Sequence, residues 1–217
     1  RPGADFPRVL DMMRTRLHAA PVAVQLPLGT EDEFRGVIDL IRQKAIFFHD
    51  ETLGADYEVD DIPAEFQDDA AAYREKMIEC ASEADDHLLE KYLGGDEITD
   101  RDIEGALRKG TIDQKFVPVL CGSAFKNKGI QQLLDAIVAY LPSPLNVPPV
   151  KGIASDGCEP PVRKAADDEP FSGLVFKIMT DPFVGHLAFF RVYSGQLKSG
   201  SSVFNSTRNS VERVGRL

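Results

Sequence analysis

Long apolar runs are missing from this sequence. No stretch approaches the roughly 18 consecutive apolar residues that a membrane-spanning helix requires, and the opening Arg1-Pro2-Gly3 lacks the basic-then-apolar pattern of a secretion signal. Cysteine is scarce as well. Cys80, Cys121 and Cys158 are odd in number and never spaced as Cys-x-x-Cys, which argues against a disulfide framework or a zinc site. His18, His49, His87 and His186 lie far apart, no His-Glu-x-x-His occurs, and the acidic runs do not have calcium-loop spacing, so no metal site is expected. Internal repeats and low-complexity segments are absent too. What remains is the expectation of a soluble protein of a reducing cytoplasm. With 43% hydrophobic and 28% charged residues, the chain can bury a core, and 217 residues allow one large domain or two small ones.

Bases are thin where acids are dense. Residues 50–104 hold 20 of the 35 acids and 4 of the 25 bases, a local charge of −16 against +6 elsewhere. Such a surface repels phosphate backbones and attracts a basic protein partner.

The pattern along the chain alternates helix and strand. Phe6, Val9, Leu10, Met13 and Leu17 recur at helical spacing between Asp5, a candidate cap, and Ala20. Val22–Leu26, Val37–Ile41 and Ala45–Phe48 read as short strands. After Pro63 one apolar stripe runs through Phe66, Ala70, Tyr73, Met77, Ala81, Ala84, Leu88 and Tyr92 to a stop at Gly94-Gly95, with Asp68, Glu75, Glu79, Asp86 and Glu90 opposite. Thr99 and Asp102 predict a capped helix start before Ile103, Ala106 and Leu107, with Gly110 as its stop. Phe116–Leu120 reads as a strand placed at an edge or irregular position by Pro118, and Ile130–Leu141 as an amphipathic helix. Residues 142–170 hold seven of the 14 prolines, without periodicity, and read as a linker. Beyond it, Phe171–Met179 and Leu187–Tyr193 alternate as strands do. The 47 residues after Pro170 are too few to close a barrel, so the C-terminus reads as cut.

The turn Cys121-Gly122-Ser123-Ala124-Phe125-Lys126-Asn127-Lys128-Gly129 lies between a strand and a helix, where α/β folds commonly place ligands. Its backbone N–H groups could meet a carbonyl oxygen on a base. By spacing alone, a plain connecting loop is the commoner outcome. Cys121 closes an apolar strand with no base beside it, which favours a structural thiol over a nucleophile.

These residues carry a resemblance. The string CGSAFKNKG is similar to the guanine-recognition loop of elongation factor G, a translational GTPase of bacteria. GADF, FRGVIDL (34–40), DIPAEF (61–66), LLEKYLGG (88–95), YLPSP (140–144) and the run from Asp167 to Gly195 extend the similarity over nearly the whole chain.

The resemblance implies an α/β fold: residues 1–21 a G-domain helix, 22–115 an acidic α+β inserted subdomain, and 116–142 the last strand, guanine loop and helix of a P-loop GTPase domain. A linker at 143–170 then leads to the start of an all-β translation-factor barrel at 171–217. It assigns Ser123, Ala124 and Phe125 to guanine. The insert is expected to face the ribosomal stalk protein, whose C-terminal domain is basic in this family, with Glu75, Glu79, Glu83, Asp86 and Glu90 as contacts. A row of carboxylates on an amphipathic helix is otherwise an ordinary solvated face.

The resemblance further implies ribosomal translocation of tRNA and mRNA, with GTP and Mg²⁺ as cofactors of the parent protein. None is expected on this segment, because the Asn-Lys-x-Asp motif, the phosphate loop and the switches are not in the sequence and the segment alone should be inactive. The basic residues Arg191, Lys198, Arg208, Arg213 and Arg216 suggest ribosomal RNA as a partner of the second unit, and open barrel edges suggest self-association. Two other readings stay open: a free acidic docking module, and another ribosomal GTPase such as a ribosome-protection protein or a release factor.

Overall fold

The computed structural model describes residues 3–49, 54–152, 162–183 and 185–217; Cys158 and part of the expected linker lie outside them. The chain divides into two compact units, Arg1–Leu141 and Pro142–Leu217.

In the first unit, helix α1 (Phe6–Leu17) starts where the Asp5 carboxylate accepts the Arg8 N–H at 2.9 Å and ends at a left-handed His18. Strand β1 (Pro21–Ala23) follows, then β2 (Gln25–Leu28). The expected single strand Val22–Leu26 is therefore two, because the chain changes partners at Val24. On one side the Val24 N–H donates to the Val119 carbonyl at 3.0 Å, and on the other the Val24 carbonyl accepts from Leu40 N–H at 3.1 Å. Strand β2 joins β3 (Gly36–Asp39), β4 (Lys44–Phe48) and β5 (Tyr57–Asp60) in an antiparallel sheet of order β2-β3-β4-β5. Asp39 makes the β3–β4 turn: its Oδ1 accepts the N–H groups of Ile41 and Arg42, and Gln43 takes a positive φ of 53°. The sequence reading did not foresee β5. Its Glu58 and Asp60 are poor strand formers, and its four residues are all exposed, where charge discourages further edge pairing.

Helices α2 (Gln67–Ser82), α3 (Asp86–Gly94) and α4 (Asp100–Ile112) complete the segment that the sequence reads as an insert. The single stripe from Phe66 to Tyr92 is in fact split between α2 and α3. Asp85 interrupts it by capping a new helix, its carboxylate accepting from the N–H groups of His87 and Leu88, a local bond that outcompetes helix continuation. Met77, Leu88, Ile103 and Leu107 pack with Leu28, Ile38 and Leu40 into one core, all fully buried, each such side chain contributing about 1.5–3 kcal/mol. Arg74 of α2 donates to the carbonyls of Leu40 and Ile41, pinning the β3–β4 turn to the helix layer.

Helix α4 opens with the expected box: Asp102 N–H to Thr99 Oγ1, and Thr99 N–H to the Asp102 carboxylate at 2.9 Å. Lys91 first, and then the Thr99 N–H and hydroxyl, hold the Asp102 carboxyl well below its usual range. The box is thus complete above the ordinary carboxylate pKa and is lost only as pH falls well below it.

The chain then enters β6 (Val117–Val119), which pairs parallel with β1, Val22 opposite Pro118. Val117 donates to Ala20 at 2.9 Å and Val119 accepts from Val24, so the missing N–H of Pro118 interrupts no bond in this pair. Helix α5 (Ile130–Tyr140) follows, its last carbonyls, those of Ala139 and Leu141, bound by the Arg108 guanidinium.

The second unit is built of hairpins. Strands β7 (Val150–Lys151) and β8 (Val162–Arg163) pair, as do β11 (Ser202–Asn205) and β12 (Ser210–Arg213). The long β9 (Ser172–Asp181) and β10 (Gly185–Ser194) pair antiparallel with register shifts at Phe189/Phe190 and Val192/Ser194. Ser194 Oγ bonds Ser172 Oγ and the Pro170 carbonyl, each at 2.7 Å, and fastens the base of that hairpin.

Gly110 does not stop α4 as expected; the helix runs on to Ile112. Its role is to admit Phe116, whose ring would lie 2.2 Å from a Cβ at that position, whereas a Cβ on Gly105 in the same helix would meet open space. Gly105→Ala should therefore raise unfolding stability by about 0.5–1 kcal/mol, and Gly110→Ala should lower it by about 1–3 kcal/mol. Urea denaturation of the two variants checks the opposite signs.

Candidate functional site

The turn after β6 is closed by its own backbone. Ser123 N–H donates to the Lys128 carbonyl at 2.8 Å, and Lys128 N–H returns to Ser123 at 3.1 Å. Between them, Ala124–Lys126 form one 3₁₀ turn, tightened by Lys126 N–H to Ser123 and Asn127 N–H to Ala124. Asn127 and Gly129 take left-handed φ values of 54° and 85° and deliver the chain into α5. Among the described residues, no protein acceptor takes the N–H of Ala124 or of Phe125. Phe125 is fully exposed, at 100%. The three residues named from sequence are thus brought together as a tight turn that offers two adjacent backbone donors, a geometry able to hold a carbonyl oxygen or another small acceptor.

Cys121 lies just before the turn. It packs, as Phe34 does, against the cluster of Val37, Ile46 and Phe48, and burial pushes its thiol up from 9.0 to about 12.

The acidic residues named from sequence are all exposed, but on two helices rather than one. Glu75 and Glu79 lie on α2 with Glu83 at its C-cap, four residues apart and so on one helix face; Asp86 and Glu90 lie one turn apart on α3. None of the five is in a salt bridge among the described residues. Glu79 and Glu83 stand at the C-terminal end of α2, whose last turn has no basic residue. That end of a helix already carries partial negative charge, and each carboxylate there costs about 0.3–1 kcal/mol. Cys80 registers the field: burial first, then Glu83 and Glu79, raise its thiol pKa.

Sequence reading missed a cavity of about 340 Å³ between the insert sheet, α4 and α5. On its wall Arg42 bridges Asp39 at 3.0 Å and Glu104 at 2.8 Å, and burial, with those two carboxylates, raises the Tyr140 hydroxyl pKa. Among the described residues no donor reaches Gln25 Oε1 or Gln132 Oε1, which are buried there, so the cavity is a place where water or another donor would be held. Nothing local in the sequence signals it, since its residues are gathered from six separate elements, β2 to β5, α4 and α5.

Three comparisons with known proteins bear on the site. Residues 4–143 match the family model described as elongation factor Tu GTP binding domain, and residues 170–217 that described as elongation factor G domain 2. The fold is also similar to a crystal structure of a Thermus thermophilus protein, with TM-score 0.72 and 27% identity over 98% of this chain. The chain spans 28% of that protein's length.

At pH 8 far less of the Cys121 thiol should be ionised in the folded chain than in the unfolded one, because burial raises its pKa. Maleimide labelling read by peptide mass spectrometry should leave Cys121 unmodified until denaturant is added. Because the folded form keeps a proton that the unfolded chain releases above pH 9.0, this thiol also makes stability fall as pH rises from there towards 12.

Proposed function

The chain belongs to the family of elongation factor Tu GTP binding domains, and from that premise we propose that it is part of a ribosomal GTPase of the elongation factor G type, acting in translocation of tRNA and mRNA. The observation that carries this reading is the order of the two matched modules, a GTP-binding domain followed by elongation factor G domain 2 on one chain. A ribosome-protection protein or release factor remains the nearest second reading, and the CGSAFKNKG turn favours the elongation factor.

In this proposal residues 1–21 and 116–142 belong to the GTPase domain, 22–115 to its insert, 143–170 to a linker and 171–217 to a barrel. The turn fits a guanine base: Ser123 closes it, and Ala124 and Phe125 present free donors to the 6-carbonyl. GTP with Mg²⁺ supplies a phosphoanhydride for hydrolysis when bound. The phosphate and magnesium ligands are proposed to lie outside these 217 residues, which alone would neither hold nor hydrolyse GTP. Support comes from the apolar residues that α1 and α5 leave in solvent, among them Leu17, Leu134 and Val138, a surface that the rest of a GTPase sheet would cover. The exposed apolar residues of β9 and β10, such as Phe176 and Ile178, would likewise meet further barrel strands or a second copy. Ribosomal RNA is the proposed partner of that unit, and the cytoplasm the proposed location.

The docking surface is proposed to be Glu75, Glu79, Glu83, Asp86 and Glu90, facing the basic C-terminal domain of the ribosomal stalk protein. What supports it is the uncompensated charge at the end of α2: carboxylates kept where the helix disfavours them gain most from a cationic partner. Calorimetric titration with the stalk domain should show binding that weakens with salt, and the double variant Glu79→Lys, Glu83→Lys should weaken it about tenfold at low salt. Unchanged affinity and salt response in that variant would return the five carboxylates to the status of a solvated face.

A further inference from the structure

Lys128 is 2% exposed, and an ammonium group so buried is costly unless it is hydrogen-bonded. A leucine or methionine would fill the same space without that cost. The lysine is placed where it joins two things. Its backbone closes the turn at both ends, through the paired bonds with Ser123. Its side chain reaches across to the insert, Nζ donating to the Phe34 carbonyl at 3.2 Å, 94 positions away in sequence and two residues before β3.

A second tie runs parallel to the first. Gln131 Nε2, in the first turn of α5, donates to the carbonyls of Gly54 and Ala55 at 3.1 Å each. The backbone of Gly54 comes so near that a Cβ there would lie 2.7 Å from the Lys126 carbonyl oxygen, and its φ of 74° is one that glycine adopts freely. The turn is thus held from one side by the insert, at Phe34 and at 54–55, while the N–H groups of Ala124 and Phe125 stay open on the turn itself.

We infer that Lys128 is a positioning residue for the turn Ser123–Lys126, fixing its two open donors in place by tying them to the inserted sheet. This rests on the reading of that turn as the guanine-recognition element. Lys128 touches no base. It sets where the donors stand, so that a shift of the β3 entrance or of the 54–55 segment is felt as a change in how well the 6-position of the base is read.

The test uses the full-length protein that carries this chain. Equilibrium dissociation constants are measured for GDP and for 6-thio-GDP, which keeps the other edges of the base but replaces the carbonyl oxygen with sulfur, a weaker acceptor. Wild type should prefer GDP. Lys128→Met should cut that preference about fivefold, through weaker GDP binding at little-changed 6-thio-GDP binding. Lys128→Arg, still a donor, should restore most of it. Gln131→Leu, which removes the second tie and leaves the buried Lys128 in place, should lower the preference in the same direction and serves if Lys128→Met does not fold. Preference at the wild-type level in folded Lys128→Met or Gln131→Leu overturns the inference, as does an equal loss for both nucleotides together with a lowered melting temperature. If wild type itself shows no preference between the two, the guanine reading of the turn fails first, a distinguishable result.

Discussion

Everything in the first unit hangs on one short parallel pairing. Strands β1 and β6 meet through three residue pairs, and the whole insert is the excursion the chain makes between them. Closing a loop of that length costs conformational entropy, though the cost grows only slowly with length. What offsets it is the core that the excursion builds for itself: a four-stranded sheet covered by α2, α3 and α4, with Leu28, Ile38, Leu40, Met77, Leu88, Ile103 and Leu107 excluded from water. The turn at Ser123–Lys128 emerges directly from β6, so its position is inherited from this pairing and then refined by its contacts with the insert.

The two candidate surfaces differ in how they are made. The turn is a matter of backbone: hydrogen bonds close it, two left-handed residues re-aim the chain, and what it offers are N–H groups. The acidic face is a matter of side chains on helices already stabilised from within. The core beneath α2 and α3 is intact without Glu75, Glu79 or Glu90, and the placement of Glu79 and Glu83 works against the helix rather than for it. A fold selected only for stability would put a lysine there.

Much of this was legible in the residues, and the failures have physical reasons. The Asp5 and Thr99–Asp102 caps, the three helical stripes and the edge placement forced by Pro118 follow from local rules, and the structure shows each of them. Asp85 broke a stripe that periodicity continued, because its two cap bonds outweigh pattern. Gly110 looked like a stop because the ring that needs its space, Phe116, lies in the next element. Strand β5 is so acidic that only pairing with β4 makes it a strand. The Lys128 tie and the Arg42 bridge join residues far apart in sequence, so no window along the chain could reveal them. The string CGSAFKNKG pointed to the turn; which of its residues face outward and which is buried emerged only in the folded chain.

The central claim is that the turn's open donors read a guanine base while the insert holds them in place. Amide hydrogen exchange on the full-length protein, with and without GDP, tests it at the atoms concerned. The account predicts that GDP slows exchange at Ala124 and Phe125 and, through the Phe34 contact, at the first residues of β3. Exchange at Ala124 and Phe125 that is unchanged by saturating GDP would contradict it.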